Sequence, residues 1–252
     1  MNTDLTIRDR GWGMVRQFGF HVLKAIERLI VRYSLVGDRH FFDAADFPWV
    51  APLEANWEAI RAELDEVLKT PDALPRFQDI STDQITITQD DKWKTFFLYG
   101  FGYRAEQNCA RCPATTRAVE QIPGMKTAFF SILAPGKHIK DHRGPYKGLL
   151  RCHLGLLVPE PKEACRIRVD DEIRHWEEGK CMIFDDTYNH EVWNDTDGQR
   201  VVLFIDVVRP FAEPVATINE FIIKLVTLSP FVQNARKNQE AWEKKQAAAM
   251  RS

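Results

Sequence analysis

Apolar residues recur at three- and four-residue spacing through Trp12, Val15, Phe18, Val22, Ile26, Leu29 and Tyr33, which predicts an amphipathic helix over residues 12–36. The segment PLEANWEAIRAELDEVLKT repeats that spacing through Leu53, Trp57, Ile60, Leu64 and Val67 and stops at Pro71, so it reads as a supporting helix. Pro113 then opens a short helix through ATTRAVEQI, at an early position where its missing amide costs nothing. From about Lys126 the pattern shortens into strands: TAFFSIL, LLRCHLGLLV, CRIRV, KCMIF and RVVLFIDVV, separated by Pro, Gly and Asp-Gly. A β-sandwich or barrel core follows from them. Beyond Pro210 a last apolar helix is expected with Ile218, Phe221, Ile222, Leu225 and Val226 on one side, ending before Pro230 and followed by a basic tail with Arg236, Lys237, Lys244, Lys245 and Arg251. The simplest partition is an N-terminal helix and connector (1–50), one catalytic domain with supporting helices (51–210), and a C-terminal helix and tail (211–252).

Composition narrows the partners. A chain of 252 residues, 44% hydrophobic and 28% charged, can bury a substantial core. Its formal charge of −2 gives no overall attraction to nucleic acid, and no nucleic-acid partner is expected. The first helix is locally basic: Arg8, Arg10, Arg16, Lys24, Arg28 and Arg32 stand against Asp9 and Glu27. Two readings stay open for it, a helix lying on an anionic membrane surface and a helix packed on its own domain with a solvated basic face. Five cysteines make an odd count in a chain that needs no disulfides, and the lone Cys109-x-x-Cys112 pair lacks the second pair of a structural zinc site. The start carries no cleavable signal pattern and no run of 18 uncharged apolar residues occurs, so a cytoplasmic protein is expected, with peripheral contact to the inner membrane surface through the terminal helices.

The chemistry concentrates in the strand-rich half, which holds or adjoins His138, His142, His153 and His190. In LLRCHLGLL the side chains alternate, so Leu150, Cys152, Leu154 and Leu156 share one face while Arg151, His153 and Gly155 share the other. An inward Arg and His together require an anionic partner. His142 lies in the loop DHRGPYKG before this strand and His190 in the loop DDTYNHEVW after KCMIF; two such loops can converge at one end of a barrel. Arg200 opens RVVLFIDVV, where a fixed guanidinium can grip a carboxylate through two parallel hydrogen bonds. A ligand set made mostly of imidazole suits iron, zinc or copper.

The stretch from about Met125 to Pro210, above all SILAPGKHIKDHRGPYKGLLRCHLGLLVP, WEEGKCMIFDDTYNHEVWND and RVVLFIDVVRP, resembles the aspartyl/asparaginyl β-hydroxylase family. The resemblance implies a mainly β fold with flanking helices around a double-stranded β-helix (jelly-roll, cupin-like) core. It also implies Fe(II), 2-oxoglutarate and O2, and hydroxylation of an unactivated carbon coupled to conversion of 2-oxoglutarate to succinate. On the matching positions, His142 and His190 would hold the iron and Arg200 the distal carboxylate of 2-oxoglutarate. Ser131 would assist at that carboxylate, His153 would lie near the oxalyl end, and Arg151 would face the substrate or pair an anion. Most oxygenases of this type carry a carboxylate ligand two residues after the first histidine, and here that residue is Gly144. The animal enzymes of the family resemble this chain in having glycine there, and a water oriented by a neighbouring acceptor can fill the corner; Asp186 is the candidate acceptor. Two substrates are implied. One is a peptide aspartyl or asparaginyl side chain; the other is a lipid acyl chain, because the lipid A acyl-chain 2-hydroxylases share the HR-x-PY-x-G-x-LR-x-HLGL pattern and an apolar helix after the last strand. A third reading is a non-catalytic module that keeps only the 2-oxoglutarate pocket.

Overall fold

A computed structural model describes residues 27–249. Its strands form two antiparallel sheets. The larger has seven strands in the order β1 (Phe41–Phe42), β9 (Cys181–Phe184), β6 (Leu149–Leu157), β11 (Arg200–Val208), β4 (Met125–Leu133), β2 (Trp93–Gly100) and β3 (Tyr103–Arg104). The smaller has four, in the order β5 (Lys137–His142), β10 (His190–Asn194), β7 (Cys165–Val169) and β8 (Glu172–His175).

The two sheets lie face to face. From the larger sheet Phe129, Leu133, Val202 and Phe204 meet Ile139, Ile167, Val169 and Val192 of the smaller one in a single buried cluster. The opposite face of the larger sheet packs on helices α2 (Val50–Ala55), α3 (Trp57–Val67) and α6 (Pro113–Glu120), where Leu150, Cys152 and Leu154 meet Leu53, Ile60, Leu64 and Val119. Strands β4, β6 and β11 are therefore covered on both sides, which is why RVVLFIDVV reads as a continuous apolar run and not as an alternation. The expected jelly-roll with flanking helices is what the chain forms, and the connector before residue 50 contributes the edge strand β1.

Several elements differ from the sequence reading. The described chain begins within a helix, α1, seen over residues 27–31; turns follow, and Ser34 bridges Phe211. The expected helix over 12–36 thus ends five residues early, and its part before residue 27 lies outside the described residues, as does Arg251. The supporting helix breaks at Asn56 into α2 and α3. Two further helices, α4 (Phe77–Ile80) and α5 (Glu106–Arg111), follow it, and Cys109 and Cys112 are buried free thiols at the end of α5.

The helix after Pro210, α7 (Val215–Thr227), carries Ile218, Phe221 and Leu225 on one side as expected, and that side faces outward. It buries Val215, Asn219 and Ile223. Asn219 sets that rotation: it accepts from Tyr146 Oη at 2.7 Å and donates to the Gly148 carbonyl at 3.0 Å, and two buried hydrogen bonds outweigh the choice between two apolar faces. A Cβ at Gly148 would overlap both partners, so the loop below α7 can close only over glycine. The basic tail is itself helical, α8 (Pro230–Ala249).

Candidate active site

The candidate cleft lies between the sheets, at the end where β5 finishes and β10 begins. His142 is the last residue of β5 and His190 the first of β10, and the ladder sets them directly opposite each other. They were expected in loops; both strands are polar enough (KHIKDH, HEVWN) to hide their period, because one face of the smaller sheet is open to water. The two rings lie 4.1 Å apart between centroids. Nδ1 of His142 faces the Lys140 carbonyl at 2.8 Å and Nδ1 of His190 faces the Tyr188 carbonyl at 3.0 Å. A carbonyl can only accept, so each Nδ1 carries the proton and each Nε2 keeps its lone pair, the state a metal ion requires. Burial holds both imidazoles below the usual histidine range, His190 well below it, with the neighbouring His142 and Arg151 adding to the effect on His190.

A row of contacts leads inward from this pair. Phe184 meets His190 on one side and His153 on the other. Trp176 Nε1 donates to His153 Nδ1 at 3.3 Å, and the Arg200 guanidinium lies over the Trp176 ring at 4.4 Å. Because His153 Nδ1 accepts, its Nε2 carries the proton. That Nε2 is buried without a partner among the described residues, and so are Nε and Nη1 of Arg200. Three N–H donors therefore face the interior with nothing to accept from them, a costly arrangement unless an anion completes it. Arg200 is 1% exposed, and burial lowers its pKa to about 10 against the opposing pull of the neighbouring Cys165 thiol. Burial first, then Arg200 and Arg151, keep His153 neutral. Ser131 lies on the adjacent strand, opposite Val202. Its Oγ accepts from Trp93 Nε1 at 3.1 Å, which leaves the hydroxyl proton to donate.

Asp186 and Gly144 complete the mouth. Gly144 N–H donates to the Asp186 carbonyl at 2.6 Å, and a Cβ built on Gly144 would run into the Asp186 carboxylate. The corner left by the missing ligand side chain is thus occupied by the acid four residues before His190, where the sequence reading placed an acceptor. Burial raises the Asp186 pKa to about 6, against the pull of Arg151. Arg151 Nη2 pairs with Asp186 at 2.9 Å and its Nε with Asp206 at 3.1 Å. The anion expected beside Arg151 is therefore supplied by the chain itself, and Arg151 is not a free cation for substrate.

The sequence reading missed Asp206, although a single carboxylate in RVVLFIDVV, at an even offset from Arg200, places it on the cleft face. It also missed a buried brace behind the His190 loop. Arg209 Nη1 pairs with Asp185 at 2.6 Å, both fully buried, and Lys147 Nζ reaches Asp185 at 3.0 Å and Asp38 at 2.9 Å. These ties fix the loop after His142 against the loop before His190.

Fold and site together define a jelly-roll protein with two facing imidazoles that could hold a cation and, deeper in, buried guanidinium and imidazole donors that could take a small anion. The family model described as aspartyl/asparaginyl beta-hydroxylase matches residues 54–210. An ornithine lipid ester-linked acyl 2-hydroxylase from Rhizobium tropici is 50% identical over 237 residues, 94% of this chain and 84% of that protein. The human aspartyl/asparaginyl beta-hydroxylase is 37% identical over 170 residues, 66% of this chain but 22% of that much longer protein. Human aspartate beta-hydroxylase domain-containing protein 2 is 32% identical over 173 residues, 64% of this chain and 44% of that protein. The chain belongs to the aspartyl/asparaginyl β-hydroxylase family and is a hydroxylase.

Proposed function

We propose that the chain is an iron(II)- and 2-oxoglutarate-dependent hydroxylase that oxidises an ester-linked acyl chain of an amino-acid-headed lipid at carbon 2. One observation carries the co-substrate: the three N–H donors on Arg200 and His153, buried without an acceptor among the described residues, one row of contacts from His190. They fit a dicarboxylate that also reaches an ion on the histidines. Bound iron would supply oxygen activation coupled to decarboxylation of the keto acid to succinate.

Every other task falls to side chains. His142 and His190 would hold the ion through Nε2. Arg200 would take the distal carboxylate with its planar pair of donors, and Ser131 would add its hydroxyl proton there. His153 would donate from Nε2 to the keto-acid end. Asp186, which fills the corner at Gly144 and is oriented in turn by Arg151, would accept from a water beside the ion. Trp176, Phe184 and Phe204 line the interior and exclude bulk water.

The lipid substrate draws support from the Rhizobium relative, matched over 84% of its length. That relative is named for an ornithine lipid, not for the lipid A of the sequence reading. The peptide reading loses ground because Arg151, the cation beside the cleft mouth, already has two carboxylates. Work at the cytoplasmic face of a membrane suits this substrate, and the free cysteines suit a reducing compartment.

The test is anaerobic titration of purified protein with iron(II) and 2-oxoglutarate, followed by oxygen with either ornithine lipid or aspartyl/asparaginyl peptides. The expected result is the visible charge-transfer band of the chelate, then succinate and a gain of one oxygen on the ester-linked acyl chain. A gain on peptide alone would replace the substrate; a band with no succinate on either would mark a binding module; no band would overturn the site.

A further inference from the structure

Ten large apolar side chains are exposed among the described residues, and eight of them gather in one region. Ile218, Phe221 and Leu225 recur at helical spacing along the outer face of α7, Leu228 caps its C-terminus, and Phe231 continues them at the start of α8. Leu29, Tyr33 and Leu35 stand beside them, because the segment after α1 is tied to the chain leading into α7: Leu35 N–H donates to Pro210 O at 3.0 Å and Ala212 N–H to Tyr33 O at 2.8 Å. Below the surface, Ile30 shares one buried cluster with Val215, Ile223 and Tyr146. Such a concentration is an interaction surface and not the scatter normal for a soluble face.

We propose that this outward face of α7, with the α1 turn beside it, seats the protein on an anionic lipid bilayer and holds the cleft mouth at the water–lipid boundary. The proposal rests on the acyl-chain reading of the site for its purpose. Three observations single out a bilayer. First, the apolar face comes with positive charge. Residues 1–32 carry six Lys and Arg against three Asp and Glu, and one of those three, Glu27, is buried on Arg143. Exposed Arg28, Arg32 and Lys224 bring cations to the patch itself, against Glu213 and Glu220. Basic residues beside an apolar helix face are what an anionic interface attracts.

Second, the surface is joined to the site. Asn219, on the buried side of α7, bonds Tyr146 and Gly148 in the loop that leaves His142, so the helix that would touch lipid also shapes the cleft entrance. Third, the geometry favours lying on a membrane over crossing it. Among the described residues no single helix is long and apolar enough to cross, and α8 turns from α7 by 54°. It packs back on the body, where Asn238 donates to Ile80 O and Tyr103 Oη donates to Glu243.

The test is flotation of the purified full-length chain, without iron or 2-oxoglutarate, on vesicles of phosphatidylglycerol and phosphatidylethanolamine or of phosphatidylcholine alone. The parent is expected to float with the anionic vesicles. The double variant Phe221→Asp/Leu225→Asp, both sites exposed and its melting midpoint checked, should bind at least about tenfold more weakly. Arg28→Glu/Arg32→Glu should remove the preference for anionic lipid, and both variants should keep turnover on detergent-dispersed substrate. Failure of the parent to float, or flotation indifferent to both variants, would overturn the proposal. So would a stable dimer that the apolar variant splits, or vesicle binding gained only on deletion of residues 1–26, since a second copy or the chain's own N-terminal segment would then cover the face. Turnover on dispersed lipid without flotation would leave the substrate reading standing, and flotation without lipid turnover would leave the docking surface standing.

Discussion

The carboxylate of Asp186 stands where a side chain on Gly144 would have to go. A protein that lacks the usual carboxylate two residues after its first histidine has thus filled the same corner from the second histidine's loop. Gly144→Asp alone should therefore not supply a ligand: overpacking of this kind costs about 1–3 kcal/mol, and metal occupancy should fall. The exchange Gly144→Asp/Asp186→Gly should recover much of both, because Arg151 regains a partner. Metal content by elemental analysis and stability by urea titration check this; a single Gly144→Asp variant as stable and as well loaded as the parent would refute the overlap.

Arg200→Ala should raise the 2-oxoglutarate concentration needed for half-maximal turnover by about 2 kcal/mol or more, thirtyfold or greater, since a buried charge-assisted pair is lost. Iron content should be nearly unchanged, because the guanidinium acts on the anion and not on the imidazoles. Arg200→Lys should fall between the two, as an ammonium cannot reproduce the planar pair of donors. An unaltered requirement would remove Arg200 from the pocket.

Much of this site was legible in sequence because strand parity is robust. Once LLRCHLGLL and RVVLFIDVV read as strands, Arg151, His153 and Arg200 fall on the cleft side by alternation alone. The strands that carry the histidines were not legible: β5 and β10 belong to the half-open sheet, and among their polar residues they hold only Ile139 in β5 and Val192 and Trp193 in β10. The orientation of α7 was hidden for a different reason. Its residues are apolar on both sides, so periodicity offers two solutions, and the choice was made by Asn219 finding partners far away in the chain.

Acidification should destabilise the metal-free protein. His142, His153 and His190 have native pKa values depressed below the ordinary value near 6.5, so between those values and 6.5 the unfolded chain binds more protons and stability rises with pH. Asp186 works in the opposite sense: its value, raised to about 6, makes the native state take up a proton on acidification before the unfolded chain does. Three imidazoles outweigh one carboxyl. The melting midpoint should fall from pH 7.5 to 5.5, and His153→Gln should flatten the slope; a midpoint constant over that range would contradict neutral burial.

Arg209→Met should cost about 3 kcal/mol or more, because Asp185 loses its closest cation while remaining fully buried. Lys147 stays within reach of Asp185 and softens the loss. Arg209→Met/Asp185→Asn should be the more stable of the two, since removing the stranded charge matters more than removing the pair. Denaturant midpoints for the two variants decide it, and a double variant no better than the single would show that the brace is not electrostatic.

With His142 and His190 facing each other across one rung of a β-ladder, their separation is inherited from strand spacing and owes nothing to the length of chain that joins them. Surface turns within that connection, such as residues 158–164, can grow, shrink or change character without detuning the pair. A slip of a single residue in β10 would send one imidazole to the outside. Redesign of what this scaffold accepts has wide freedom in its turns and almost none in its register.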